Sequence, residues 1–182
     1  MNFLLLLAAT LNKYRYFSLI MTIAVIGAFI IILFRGQKAT INDLSSTLLG
    51  ILYGGWLPMH IMLLRNINSE GFKFLNWNVS DGLGFIVLIF LVITASDIAA
   101  YYIGSAFGKT KLWPEVSPKK TVKGAVAATI GGILVAVLFG FVIGLPLHHS
   151  IVAGFLLSLA AQLGDLCESM LKRDAGVKDS GD

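Results

Sequence analysis

Uncharged apolar runs alternate with short polar stretches along this chain, and the runs have the length of membrane spans. Tyr16 to Phe34 carries no charge and is bracketed by Lys13 and Arg15 before it and by Arg35 and Lys38 after it. That pattern predicts a full span, because a bilayer core needs roughly 20 apolar residues with basic residues at their ends. Leu44 to Leu64 predicts a second span, kinked by Pro58 and the Gly54-Gly55 pair, with His60 inside it as a structural or interfacial histidine, a functional one being the alternative. Asn66 to Asp81 shows neither period and reads as a surface loop. Gly82 to Ser96 is apolar up to Asp97, and the helix is expected to run on through Tyr102 and stop at the Gly104 and Gly108 punctuation, so that Asp97 sits near its end. Thr121 to Leu147 is a further span, whose Gly124, Ala128, Gly131, Gly132 and Ala136 let helices approach closely in lipid. After a His148-His149-Ser150 turn, Ile151 to Leu163 opens a last span that turns polar at Gln162, Asp165 and Glu168.

Met1 to Thr10 is apolar but lacks the basic start and cleavage site of a secretory signal, so it reads as part of a membrane helix, with the native N-terminus expected further upstream. The whole is an all-α fold, a polytopic transmembrane helical bundle with room for about five or six membrane helices. It forms one integral membrane domain over 1–182, with a basic loop at 105–124 and a polar C-terminal segment at 162–182.

Composition strengthens the membrane reading: 57% of residues are hydrophobic and 13% charged, against about 25% charged in soluble proteins. The net charge of +4 does not point to nucleic acid, because the basic residues lie beside apolar segments, where they set topology or meet nucleotide and lipid phosphates. The loop with Lys109, Lys111, Lys119, Lys120 and Lys123 is expected in the cytoplasm, as is the tail with Lys172, Arg173 and Lys178, two spans later. The same count puts Arg35 and Lys38 inside but Lys13 and Arg15 outside, against the rule. Cys167, the single cysteine, excludes an internal disulfide and reads as a small packed residue.

Chemistry concentrates in Ala95 to Gly124 and Gln162 to Asp182. Asp97, Tyr101 and Gly104 recur at i, i+4 and i+7, one helical face, and a carboxylate there points into a bundle rather than into lipid. The stretch from Phe107 to Thr121 combines five features of a phosphate cradle: Gly108, Lys109, Ser117-Pro118 as a rigid turn, Lys119-Lys120, and Thr121. Lysines neutralise phosphate, and Ser117 or Thr121 as a cap would aim the first amides of the next helix at an anion. Gly108-Lys109-Thr110 lacks the glycine spacing and preceding strand of a Walker A motif, and that match is spurious. Asp165, Glu168 and Lys172 share a face, and Asp165 with Glu168 suits a hard divalent ion, Mg²⁺ or Mn²⁺, that keeps waters and bridges phosphates. Against these readings stand a helix-end Asp97 meeting water, a basic loop that only sets topology, and carboxylates paired to Lys172 or Arg173.

The order and types of these residues resemble the phosphatidate cytidylyltransferase family, the CDP-diacylglycerol synthases. The resemblance rests on Asp97-x-x-Ala100-Tyr101-x-x-Gly104, on Phe107-Gly108-Lys109, on Ser117-Pro118-Lys119-Lys120-Thr121, and on Ser169-x-Leu171-Lys172-Arg173 followed by Lys178-Asp179. It covers the chain from about Tyr16 onward, with the motifs in the second half. The family usually carries a Glu two residues after the position of Thr121, where this chain has Lys123, so the contact there reverses sign. Its signature continues beyond Asp182, and its members have more N-terminal helices, so truncation at the C-terminus and at the N-terminus is expected.

The resemblance implies attack by the phosphate of phosphatidic acid on the α-phosphorus of CTP, giving CDP-diacylglycerol and pyrophosphate. It implies Asp165, Lys172, Arg173 and Asp179 as catalytic residues. Tyr101, Lys109, Ser117, Lys119, Lys120, Thr121 and Lys178 would bind substrate, and Asp165, Glu168 and Asp97 would hold Mg²⁺ or Mn²⁺. CTP, phosphatidic acid and membrane lipids are the expected partners, a homodimer is compatible, and nucleic acid is not expected. The expected location is the bacterial inner (plasma) membrane, multi-pass, with the active site facing the cytoplasm. Alternatives are a CTP-dependent lipid kinase, a cytidylyltransferase for another lipid phosphate, and a transporter or other non-catalytic membrane protein.

Overall fold

The computed structural model describes residues 15–36, 40–67, 71–74 and 77–177. The expected apolar helix at 1–10 and the site residues Lys178 and Asp179 lie outside them. Among the described residues four helices are long and apolar enough to cross a membrane, Ile41–Arg65, Asp81–Phe107, Val122–Val142 and Leu147–Asp174, with a shorter apolar helix at Leu19–Arg35. The polytopic helical bundle expected from the hydrophobic pattern is therefore observed. The chain divides into two compact units, Met1–Gly71 with Ser80–Ile86, and Phe72–Val79 with Val87–Asp182.

In the first unit, α1 (Arg15–Arg35) packs through Ala24 and Ala28 against Leu44 and Ile51. Two alanines one turn apart leave a shallow face on which another helix can seat. The second span is built from α2 (Ile41–Ile51), a π-helical turn at Leu52–Trp56 and α3 (Leu57–Arg65). It starts at a reciprocal cap, in which the Thr40 amide donates to Asp43 Oδ2 at 2.8 Å and the Asp43 amide donates to Thr40 Oγ1 at 3.3 Å. The kink expected at Gly54-Gly55 and Pro58 takes the form of that π turn, which widens the helix where a proline ring would crowd the preceding turn. His60 Nδ1 contacts the Trp56 carbonyl oxygen at 2.8 Å and its ring stands edge-on to Trp56, the structural role anticipated for it.

The second unit opens on the antiparallel hairpin β1 (Phe72–Phe74) and β2 (Trp77–Val79), with Phe72 opposite Val79. The polar pattern of Asn66 to Asp81 predicts a loop over this whole stretch. Three-residue strands are too short for their alternation to stand out from a polar segment. Next, α4 (Asp81–Phe107) runs five residues beyond its expected end at Tyr102, so Gly104 is inside the helix and Asp97 lies well before its terminus. After α4 a second hairpin, β3 (Lys111–Trp113) and β4 (Ser117–Thr121), replaces the expected basic loop. The turn is at Pro114–Val116, and the Ser117-Pro118 pair expected to make it instead lies in β4. Proline is tolerated there because a two-stranded ribbon leaves one edge of each strand unpaired.

The helices α5 (Val122–Val142) and α6 (Leu147–Asp174) then pack as an antiparallel pair. His148, His149 and Ser150 belong to the first turn of α6, and the connecting turn is Gly144 to Pro146, with Gly144 at φ +74°. Gly124, Ala128, Gly132, Ala136 and Gly140 are all buried along one stripe of α5. A Cβ at Gly132 would overlap Ser158, one at Gly140 would overlap Ser150, and one at Gly154 would overlap Ala136. Close approach in lipid requires those missing atoms. Ser96 of α4 joins the seam through a 3.0 Å hydrogen bond between its hydroxyl and that of Ser158. Leu88, Val92 and Ala136 form the adjoining apolar core.

Candidate active site

At the end of the α5–α6 pair that carries the β3–β4 hairpin, a cavity of about 590 Å³ opens among α4, the hairpin, α5 and α6. The i, i+4, i+7 face read from the sequence forms one wall, with Asp97, Tyr101 and Gly104 all lining it. Lys111, Lys119, Lys120 and Thr121 line it from the hairpin, and Gln162 and Asp165 from α6. Ala100, Gly124, Ala125 and Ala128 make an apolar floor. Residues from both segments singled out in the sequence thus share one space, and the hairpin and the last turns of α6 lie at the same end, as the charge-based topology required.

Glycines let the walls meet. Gly124 stands against Gly104, where a Cβ on Gly124 would come within 3.2 Å of the Gly104 Cα and 2.9 Å of the Ala100 carbonyl oxygen. At Gly108 any side chain would run into the Gly104 carbonyl and the Thr121 side chain, which explains the Phe107-Gly108-Lys109 pattern by packing rather than by phosphate-loop geometry. Thr121, buried, caps α5 by accepting from the Gly124 amide at 3.2 Å, one of the two caps anticipated. The Val122 amide donates to the Thr110 carbonyl oxygen at 3.0 Å and ties the hairpin to the helix.

Charge is organised around one pair. Lys120 Nζ lies 2.6 Å from Asp165 Oδ2 and also donates to the Gln162 carbonyl oxygen at 3.5 Å. Gln162 is held in turn, its Nε2 donating to Thr129 Oγ1 at 3.2 Å and to the Ser158 carbonyl oxygen at 3.3 Å. The Lys120–Asp165 pair is half-open to the cavity, so it can be exchanged for phosphate and cation without exposing a charge in a dry core.

Other expected site residues lie elsewhere. Glu168 meets Lys172 at 2.7 Å, one turn along α6, and neither lines the cavity. Arg173 is exposed near the end of α6, and Lys109 and Ser117 also lie outside the lining. Cys167, expected to be packed, is exposed, because it follows buried Leu166 and so points about 100° away from the packed side of α6. Lys111 and Gln162 line the cavity without having been singled out as site residues. Lys111 is brought there by the hairpin register, which sets it opposite Thr121, a pairing that the sequence pattern does not carry. For Gln162 the available signal is the i−3 spacing from Asp165.

Among the described residues, Asp97 and Asp165 are the carboxylates that line this space. Oxygen donors of that kind suit Mg²⁺ or Mn²⁺, and an ion there would take its remaining ligands from water and phosphate. Among the described residues no three His, Cys, Asp or Glu side chains converge to hold a metal without such help.

The chain matches the cytidylyltransferase family over residues 1–182. It is 38% identical to the phosphatidate cytidylyltransferase of Synechocystis sp., covering all of this chain and 67% of that protein. It is 34% identical to the phosphatidate cytidylyltransferase of Staphylococcus saprophyticus, covering 94% of this chain and 72% of that protein. With the phosphatidate cytidylyltransferase of Bacillus subtilis it shares 35% identity, over 78% of this chain and 49% of that protein. No solved structure matches.

Proposed function

The chain belongs to the cytidylyltransferase family, and from that premise we propose that it transfers a cytidylyl group from CTP to phosphatidic acid in phospholipid biosynthesis. The observation that carries this reading is the cavity itself. Lys111, Lys119 and Lys120 line it together with Asp97 and Asp165 at the end of apolar helices, which supports access by a lipid from the bilayer and by a nucleotide from water.

A phosphate oxygen of phosphatidic acid attacks the α-phosphorus of CTP, the bond from that phosphorus to the β-phosphate bridge breaks, and pyrophosphate leaves with the electron pair. The nucleophile is already anionic, so the site needs positioning and charge neutralisation more than a general base. Lys111, Lys119 and Lys120 neutralise phosphate oxygens, Lys120 by leaving Asp165. Thr121 fixes the hairpin against α5, which holds two of the lysines in place. Asp97 and Asp165 would hold Mg²⁺, which would supply positive charge against the negative charge gathered on the phosphoryl oxygens in the transition state. Tyr101 borders the same space, and the apolar floor limits water. Lys172 lies two turns along α6 from Asp165, on the same face but outside the cavity lining, and it and Arg173 would meet phosphates entering from the aqueous side. The positively charged hairpin faces the cytoplasm of a bacterial inner (plasma) membrane, supported by the clustering of lysines at this end.

Membranes from cells making the protein, incubated with CTP, phosphatidic acid and Mg²⁺, test it. Cytidine label is expected in the lipid phase, with release of pyrophosphate. Lipid labelling only from the γ-phosphate would mean a kinase, and no transfer at all would overturn the proposal.

A further inference from the structure

A second concavity, of about 660 Å³, lies on another flank of the α4–α5 pair. Its sides are Ile103 and Phe107 from α4 and Val126 and Ile130 from α5, with Lys123 at one end. These positions stand roughly 200° around their helices from Tyr101, Gly124 and Ala128, which line the catalytic cavity. The tight Gly104–Gly124 contact lies between the two spaces. The groove is almost wholly apolar apart from Lys123, in the first turn of α5 and so next to the hairpin.

Nothing in the proposed reaction uses Lys123, which lines this groove and not the cavity. A lysine in the first turn opposes the helix dipole, so the sequence tolerates an unfavourable charge there. It has no ion-pair or hydrogen-bond partner among the described residues. An anion beside it would satisfy both the ammonium and the helix end. Basic positions at the cytoplasmic mouth of grooves between membrane helices bind anionic headgroups, and the apolar groove below fits a hydrocarbon chain. We propose that this groove holds one acyl chain of an anionic bilayer phospholipid, with its phosphodiester on Lys123, as an accessory lipid site separate from the catalytic cavity.

The test uses the protein in phosphatidylcholine nanodiscs containing a trace of phosphatidylglycerol or phosphatidylcholine with a photoactivatable group in the acyl chain, and adducts are mapped by mass spectrometry. Adducts on Ile103, Phe107, Val126 or Ile130 are expected to be about five-fold more abundant from phosphatidylglycerol, the factor carried by one lysine near an anionic headgroup. Lys123→Gln should abolish that preference and Lys123→Glu should reverse it. Val126→Trp, which fills the groove, should lower labelling by both lipids at these positions. Equal labelling by the two lipids in the unmodified protein, or a preference that survives Lys123→Gln, would overturn the proposal. Transfer activity is not the readout, so the result is independent of the proposed reaction.

Discussion

The small-residue stripe of α5 does two different jobs along its length. Gly132, Ala136 and Gly140 press α5 against Ser158, Gly154 and Ser150 of α6 until no room is left for a methyl group. Gly124 and Ala128, the same stripe nearer the hairpin, instead form the floor of the cavity. The difference arises because polar side chains enter between the helices at that end: Gln162 reaches across to Thr129, and Lys120 reaches in to Asp165. Missing side chains close the seam against α6, whereas at the hairpin end Gly124 closes on Gly104 of α4 while polar pairs bridge to α6. The two regions should therefore fail in different ways.

The largest effect is expected in the seam. Gly132→Leu puts a branched side chain where Ser158 and Ser96 already stand, and overpacking of about 3 kcal/mol or more should leave little folded protein, read as loss of the monodisperse peak and of the thermal transition in detergent. In the cavity, Asp165→Asn should lower turnover on the order of 100-fold or more with the fold retained. Normal turnover would remove Asp165 from the mechanism. Lys120→Met should also cost on the order of 100-fold in kcat/KM for CTP while the thermal transition moves little, because the pair it breaks is half-open to water. If Lys120→Met instead unfolds the protein, the contrast between seam and cavity fails. Thr121→Ala removes the α5 cap and should lower stability by about 1 kcal/mol, with a smaller loss of activity as the hairpin loosens. The smallest effect is expected for Ser158→Ala, about 0.6 kcal/mol, since a hydroxyl pair inside a bundle is worth little beyond its packing. A large loss there would mean that polar pairing, not shape, holds the seam.

Much of this was legible without a structure. The spans follow from uncharged runs of sufficient length, the kink from Pro58 with the glycine pair, the face of Asp97, Tyr101 and Gly104 from helical spacing, and the cap from Thr121. The hairpins were not legible, because short strands in polar segments leave no periodic trace. Read as a loop, the segment points to Lys109 and Ser117, whereas the strand register sets Lys111 opposite Thr121 and into the cavity lining. Glu168 was grouped with Asp165 from spacing on one helix, but its partner turned out to be Lys172 on that same helix.

The sequence by itself determined the solvent, the order of the apolar helices and the family, because hydrophobic length and motif order are local properties of the chain. Tertiary structure decided which charges meet. The Lys120–Asp165 pair, the Gln162–Thr129 bridge and the separation of Lys123 from the cavity depend on how closely α4, α5 and α6 approach. That distance is fixed by atoms the glycines lack, on helices far apart in sequence, and no local pattern records it.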